Sequence, residues 1–488
     1  MMGSGIMPPP EDLFRQTGAE ILLPSDKGYT LRQDSYFSTT AAQLRPAYIV
    51  RPHSASEVAR VLRILVSGNH VFAIRSGGHG TSLGASNIDG GITLDLGLLD
   101  WTRVVEDSQS ADGQMHFAAL ADIGPGARWR DVYAVLDKHG LMVPGGREGT
   151  VGVGGLLLGG GISFLSGSRG FACDNVAAFE VVLADGRIVQ ASKAVNPDLF
   201  WAVKGGSNNF GIVTNIRMQA LRNRPVWGGF TVLSPQVIPQ AADALVDFTS
   251  RVHEDVDSHL VCMIEYRPET RQSAMRAYLF QVAGVENAPA YSRWLKFPST
   301  HKYFTTYTFA EASGNRSIPD GYHNIWFTAT FKNDARIVSE AASLHQELVD
   351  TLRTSVAPDG DFVSLCLFQP LPKIMIQRGD NPFGLSQQDD CLLFLTVVTV
   401  RSAEQKTAAY PKSKTFLSEL REFARSTGGN LNLDWEYLNY ADDSQDPLAS
   451  YGAENVRKLR EVASKYNPQQ VFQKLCRGGF KLTPNALN

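Results

Sequence analysis

The chain has 488 residues, 43% of them apolar and 19% charged, with a formal net charge of −3. That composition supports two or three domains with sizeable cores. Its near-neutral balance, with basic residues scattered rather than grouped, argues against nucleic acid or an anionic membrane surface as partner. No apolar run approaches the roughly 20 residues needed to span a bilayer.

The opening stretch, "MMGSGIMPPPEDLF", has neither a basic n-region nor an apolar core. It is not read as a signal peptide, and a cytoplasmic location is expected. "AYIV" then reads as a strand, and "SASEVARVLRILVSGN" as a helix. Ser54 and Glu57 have capping-box spacing, Val58, Val61, Leu62 and Leu65 form one face, and Gly68 lies just past the end. "VFAI" is the next strand and runs into "RSGGHG". "GGITLDL" and "HFAALADIG" read as strands, and "ARWRDVYAVLDKHG" as a helix closed by Gly140. "FEVVLADGRIVQAS" is a hairpin turning at Asp185-Gly186. "PDLFWAVKGG" is a short helix and "GIVTNIRMQAL" a strand.

From about Pro225 the texture changes. "GGFTVL", "HLVCMIEYRP", "RAYLFQVAG", "NIWFTATFKN" and "CLLFLTVVTVRS" are strand-like. "PQAADALVDFTSRV" and "ARIVSEAASLHQELVDTLR" are helical, which together predict a large sheet with helices packed on it, an α+β layer arrangement. "ENVRKLREVASKYNP" is a last amphipathic helix. Boundaries are expected at 1–222, 223–430 and 431–488, the last segment returning to the first domain. The five cysteines are far apart and form no CxxC, so they read as reduced core thiols.

Two glycine-rich stretches carry the chemistry. "RSGGHGTSLG" sets His79 among glycines directly after a strand, where backbone N–H groups can approach an anion closely. "PGGREGTVGVGGLLLGGGISFLSGSRGFACDNV", residues 144–176, is denser still. Leu157 occupies the third glycine position of a GxGxxG, and no GxxxxGK[ST] occurs, so neither familiar nucleotide motif is present. The acids Asp442, Asp443 and Asp446 do not make a calcium loop, because Pro447 and Ala453 stand where glycine and glutamate are required. No metal site is expected.

With the tail "WEYLNYADDSQDP…NPQQVFQ", these stretches resemble the berberine-bridge-enzyme-like branch of the vanillyl-alcohol oxidase superfamily, in its fungal form. The resemblance implies an α+β chain: a two-part FAD-binding domain, then an α+β substrate domain on a large antiparallel sheet. It also implies an FAD-linked oxidase. Hydride would pass from a hydrophobic small molecule, of the natural-product kind, to flavin N5. O2 would reoxidise the flavin and yield H2O2. A non-redox isomerase or cyclase that keeps the flavin as scaffold, and an oligosaccharide oxidase, stay open. The sequence does not reveal the oligomeric state.

By the same resemblance His79 bonds covalently to FAD, and Ser76, Gly77, Gly78 and Gly80 cradle its phosphates. Val153, Gly154, Gly155 and Gly159 would lie along the cofactor, with Asn175 close by. Ile212 and Val213 would pair backbone groups with it, and Val151 would sit where oxygen access is controlled. Glu148 stands where many members carry a second tethering cysteine, so a single covalent bond is expected, with Glu148 a candidate base. In the tail, read as a strand, Tyr437 is the candidate base and Asn439 and Tyr440 are ring contacts. Gln369 in "FQPLP" is a candidate substrate contact.

Overall fold

The computed structural model describes residues 10–105, 118–314, 321–385 and 388–482. The first nine residues of the opening stretch, and His116 and Phe117 of one expected strand, lie outside the described residues. That strand is described as Ala119–Ile123.

Four short strands form the first sheet, in the order Glu20–Leu22, Tyr48–Arg51, Ile92–Asp95, Phe72–Arg75. Ile92–Asp95 pairs in parallel with both Tyr48–Arg51 and Phe72–Arg75. A parallel pair needs a crossover, and helix Ala55–Ser67 supplies it, burying Val58, Val61, Leu62 and Leu65. Ser54 Oγ accepts from Glu57 N at 3.3 Å, while the Glu57 carboxylate takes the His53 N–H at 2.7 Å, one residue outside the expected box. The Phe72–Arg75 strand ends directly at Ser76 and so delivers the first glycine loop.

The second sheet runs Thr102–Val105, Ala119–Ile123, Ile212–Arg222, Val176–Val182, Ile188–Ser192, antiparallel throughout, with Leu141–Met142 paired to the far end of Ile212–Arg222. The expected hairpin turns at Asp185-Gly186, with Gly186 at φ +80°.

The third sheet has eight antiparallel strands: Ser299–Tyr307, Val226–Leu233, Gln272–Gln281, Ser258–Arg267, Val363–Leu371, Cys391–Val400, His323–Lys332 and Asn432–Leu433. Helices Ile238–Arg251, Ala335–Ser355 and Ala403–Ser426 cover one face and close a large apolar core. Val261, Met263, Leu365, Leu367, Leu395 and Val397 lie on the other. Pro370 sits within Val363–Leu371, where proline would forfeit a ladder bond. Pairing with Ser258–Arg267 stops at Phe368, so Pro370 faces a strand on one side only.

The chain beyond residue 430 serves both parts. Asn432–Leu433 is the edge strand of the third sheet, whereas Val471, Phe472, Leu475 and Cys476 pack into the core of the first. All five cysteines are buried thiols. No helix among the described residues is long and apolar enough to cross a membrane.

Candidate active site

Between the two glycine-rich loops and the uncovered face of the third sheet lies a cavity of about 440 Å³. The loops are held together by backbone contact. A Cβ on Gly77 would fall 2.5 Å from Gly152 Cα, and one on Gly152 would fall 2.5 Å from Gly77 N, so neither position admits a side chain. Gly78 holds φ +71°, in the left-handed region that favours glycine. Ser76 Oγ donates to the Pro125 carbonyl and ties the first loop to the second sheet. Phe37 stacks on His79, ring centroids 4.1 Å apart and 17° from parallel.

The second loop enters helix Val153–Leu158 through Gly152. Gly154 and Gly155 line the cavity, as do Val151, Ile212 and Val213. Three expected cofactor contacts do not line it. Val153 is fully buried in the core and donates its N–H to the Ala127 carbonyl at 2.9 Å. Gly159 lies against the Asn439 amide, whose Oδ1 would be 2.2 Å from an added Cβ. Asn175 turns its Nδ2 to the carbonyls of Arg169 and Phe171, at 2.9 and 3.0 Å, and so locks its own turn.

The cavity floor is side chain rather than backbone. Val261, Met263, Tyr278, Leu367, Leu395 and Trp326 come from five adjacent strands of the third sheet and line it. Strand alternation brings every second residue to this face, and register sets Val261 beside Tyr278 and Met263 beside Leu367.

At the rim where floor and loops meet stands a polar cluster. The tail segment expected as a strand is a 3₁₀ turn, Leu438–Tyr440, preceded by extended Tyr437. Tyr437 is buried, and its phenol oxygen accepts from Gly161 N at 3.0 Å and Asn439 Nδ2 at 3.1 Å. Burial pushes this phenol well above its ordinary value, and the donors from Asn439 and Gly161 do not offset that. Tyr440 is half-buried and lines the cavity. Its oxygen accepts from Arg147 Nη2 and Gln369 Nε2, both at 3.0 Å. Arg147 Nη1 in turn lies 3.0 Å from His259 Nε2. Burial first, and then the Arg147 charge, hold the His259 imidazole well below its ordinary value. It is therefore neutral and accepts from the guanidinium.

Gln369 does not itself line the cavity; it is fully buried behind Tyr440. Glu148 does line it, with Oε1 accepting from Thr150 N at 3.4 Å and Thr150 Oγ1 at 3.1 Å. Sequence reading missed Arg147, His259, Phe37 and Trp326. No spacing signal links Arg147 to His259, which meet only because the second glycine loop folds against the third sheet.

Glycine loops that exclude side chains face an apolar sheet across the cavity, and the chain's relatives make it a flavin-dependent oxidoreductase. Residues 46–192 match the FAD binding domain family, and the chain belongs to the family of FAD-linked oxidoreductases that includes the fungal FAD-dependent monooxygenases. The FAD-dependent monooxygenase drtC of Aspergillus calidoustus is 36% identical over 485 residues, covering 96% of this chain and 88% of that protein. Among solved structures, 6-hydroxy-D-nicotine oxidase of Arthrobacter nicotinovorans superposes with a TM-score of 0.77 at 23% identity, over 93% of this chain and 96% of that one. A glucooligosaccharide oxidase of Acremonium strictum, described with a 6-S-cysteinyl, 8α-N1-histidyl FAD, gives 0.72 at 19% identity, over 97% and 98%.

Proposed function

We propose that this protein is an FAD-dependent oxidase of an apolar small molecule, acting at a carbon that bears a hydroxyl, with Tyr440 as the base. The arrangement around the Tyr440 oxygen carries the reading. It faces the cavity and meets two donors, one of them a guanidinium, which fix where the phenol oxygen stands at the rim. Tyr437, the base expected from sequence, also borders the cavity, but it is buried with its phenol pushed up. Its part is to hold the turn, by fixing Gly161 and Asn439.

The cavity fits the cofactor. Gly80 and Gly155 line it, and nothing lies within 4 Å of where their Cβ atoms would be, so the space a side chain would fill is left open. Ser76, Gly77, Gly78 and Gly80 would hold the diphosphate, and Val151, Gly154, Gly155, Ile212 and Val213 would border the rest. His79 would carry a single covalent link. Glu148, occupied with Thr150, acts as a brace for the second loop rather than as a base. Bound FAD would supply a two-electron acceptor, with O2 as the terminal oxidant and H2O2 as its product.

The floor selects the substrate class. Val261, Met263, Leu367 and Leu395 offer sugar hydroxyls no partner, and an unmet hydroxyl costs binding. An apolar, ring-bearing alcohol fits, lying on the floor with its hydroxyl toward Tyr440. The test is a panel of such alcohols under ¹⁸O2, with oxygen uptake, H2O2 and product mass followed together. One H2O2 per product, with the product two hydrogens lighter and free of ¹⁸O, supports the oxidase reading. Incorporation of ¹⁸O would replace it with the monooxygenase chemistry for which drtC is named.

A further inference from the structure

Directly behind the first glycine loop lies a buried group of charges that the proposed chemistry does not use. Asp95 is fully buried, and Arg32 binds its carboxylate through Nε and, at 2.8 Å, through Nη2. Arg75 is also fully buried. Its Nη1 donates to the Arg32 carbonyl at 2.7 Å and its Nη2 to Ser35 Oγ at 2.8 Å, while Nε stands 3.8 Å from the same Asp95 carboxylate. The guanidinium lies 3.6 Å over the Tyr36 ring. Arg128 donates to the carbonyls of Thr150 and Gly77, at 2.6 and 2.8 Å, and no carboxylate pairs with it among the described residues. Arg32 and Arg75 thus face the one Asp95 carboxylate, and the Arg128 guanidinium stands near enough to both to be repelled by them, so the group carries a surplus of two positive charges. Burial pushes the Asp95 carboxyl up, but Arg32 and Arg75 together outweigh it and keep the group ionised. The nearby Arg130–Asp131 pair closes on itself at the surface, at 3.5 Å.

The surplus is in contact with the loop. A Cβ on Gly78 would lie 2.9 Å from Arg75 Nε and Nη2. Arg128 draws the Gly77 carbonyl toward itself, and Phe37 N takes the Gly78 carbonyl at 3.1 Å. In a planar trans peptide the N–H points opposite to the C=O of the same unit, so anchoring the Gly77 carbonyl turns the Gly78 N–H away from the arginine. The N–H groups of Gly77, Gly78 and Gly80 donate to no protein acceptor among the described residues, and all three glycines line the cavity. Unmet donors in front of a fully buried Arg75 and a half-buried Arg128 are costly unless an anion completes them.

We infer that Arg75 and Arg128, backed by Arg32, are positioning residues for the cofactor's diphosphate. Their surplus charge balances that dianion through the Gly77–Gly78 backbone, which they also orient. The inference rests on the loop taking the diphosphate and is independent of the substrate, the base and the covalent link.

The test uses His79→Ala protein, in which binding is reversible, purified with its flavin. FAD dissociation is read as recovered flavin fluorescence on dilution, and riboflavin, which has the ring but no phosphate, is titrated in parallel. Arg128→Gln is expected to weaken FAD by at least about tenfold while changing riboflavin less than about twofold, and Arg128→Lys to recover most of the FAD loss. Equal weakening by Gln and Lys, or equal loss of FAD and riboflavin, would overturn the charge role and leave only a packing one. Should Arg128→Gln not fold, the His79→Ala protein alone decides. FAD affinity must fall with added NaCl while riboflavin affinity stays flat, and two flat responses sink the inference.

Discussion

The two sides of the cavity are built by opposite means. On the loop side the chain removes side chains, so that Gly77 and Gly152 touch backbone to backbone and N–H groups face inward. On the sheet side it supplies them, from five strands that share no local motif. Backbone recognition is indifferent to what lies beyond the cofactor, whereas the side-chain floor can change residue by residue without disturbing the loops. The comparison predicts that variants on the two sides will separate cleanly: loop variants lose flavin, and floor or rim variants lose turnover with flavin retained.

The largest effect is expected at the rim. Tyr440→Phe should lower kcat by about 10²–10⁴-fold, the range for loss of a general base, with the flavin-to-protein absorbance ratio unchanged. Tyr437→Phe should cost far less in kcat, because its oxygen serves Gly161 and Asn439. If the two variants reverse in order, Tyr437 is the base and the rim assignment fails. Next comes Gly77→Ala, whose Cβ must displace Gly152 from 2.5 Å. Overpacking of this kind costs about 1–3 kcal/mol, so the flavin-to-protein ratio should fall and the thermal midpoint with it. Full flavin content would mean that the loops can part without loss of the cofactor site.

How much of this was readable from the chain follows the same division. The glycine loops left a compositional trace, because excluding side chains requires particular residues at particular places. The hairpin at Asp185-Gly186 and the helix capped by Ser54 were legible for similar local reasons. The rim was not. Reading "WEYLNY" as a strand puts Tyr437 and Asn439 on one face, with Tyr440 on the other. The 3₁₀ turn instead brings residues three apart together, and the Tyr437 and Tyr440 rings meet edge-on at 4.9 Å. Tyr437 is thereby buried and Tyr440 handed to Arg147. Arg147 and His259 carried no signal because their contact exists only where the second glycine loop meets the third sheet. Pro370 disguised the strand that carries Gln369, since the sheet tolerates it only where one neighbouring strand has ended.

A smaller effect sharpens the sheet side. Leu367→Ala, in mid-floor, removes apolar contact with the substrate and leaves the loops untouched. Discrimination by a few methylenes is worth about 1–3 kcal/mol, so kcat/KM for the preferred alcohol should fall by about tenfold while bulkier alcohols gain relative to it. A uniform fall across the panel would mean that the floor supports the protein without selecting the substrate.

The smallest effect concerns the sheet's covered face, where His345 of helix Ala335–Ser355 is fully buried with Nε2 2.9 Å from Ser364 Oγ. Burial lowers this imidazole to about 4, against about 6.5 in an unfolded chain. The unfolded chain therefore binds the extra proton first as pH falls, and the native state loses stability across that window. Above pH 6.5 the contribution is fully present, below about 4 it is gone, and between them one proton costs about 1.4 kcal/mol per pH unit. Urea unfolding at pH 7.0 and 5.5 should thus show a loss in the parent that His345→Gln reduces by about 1.4 kcal/mol. Because His345 belongs to the core of the third sheet, tryptophan fluorescence from that region should report the acid-sensitive step before flavin is released. If His345→Gln leaves the slope unchanged, another buried group sets the acid limit. If flavin is released first, the loop side is the weaker of the two in acid, and the independence argued for the two sides fails at low pH.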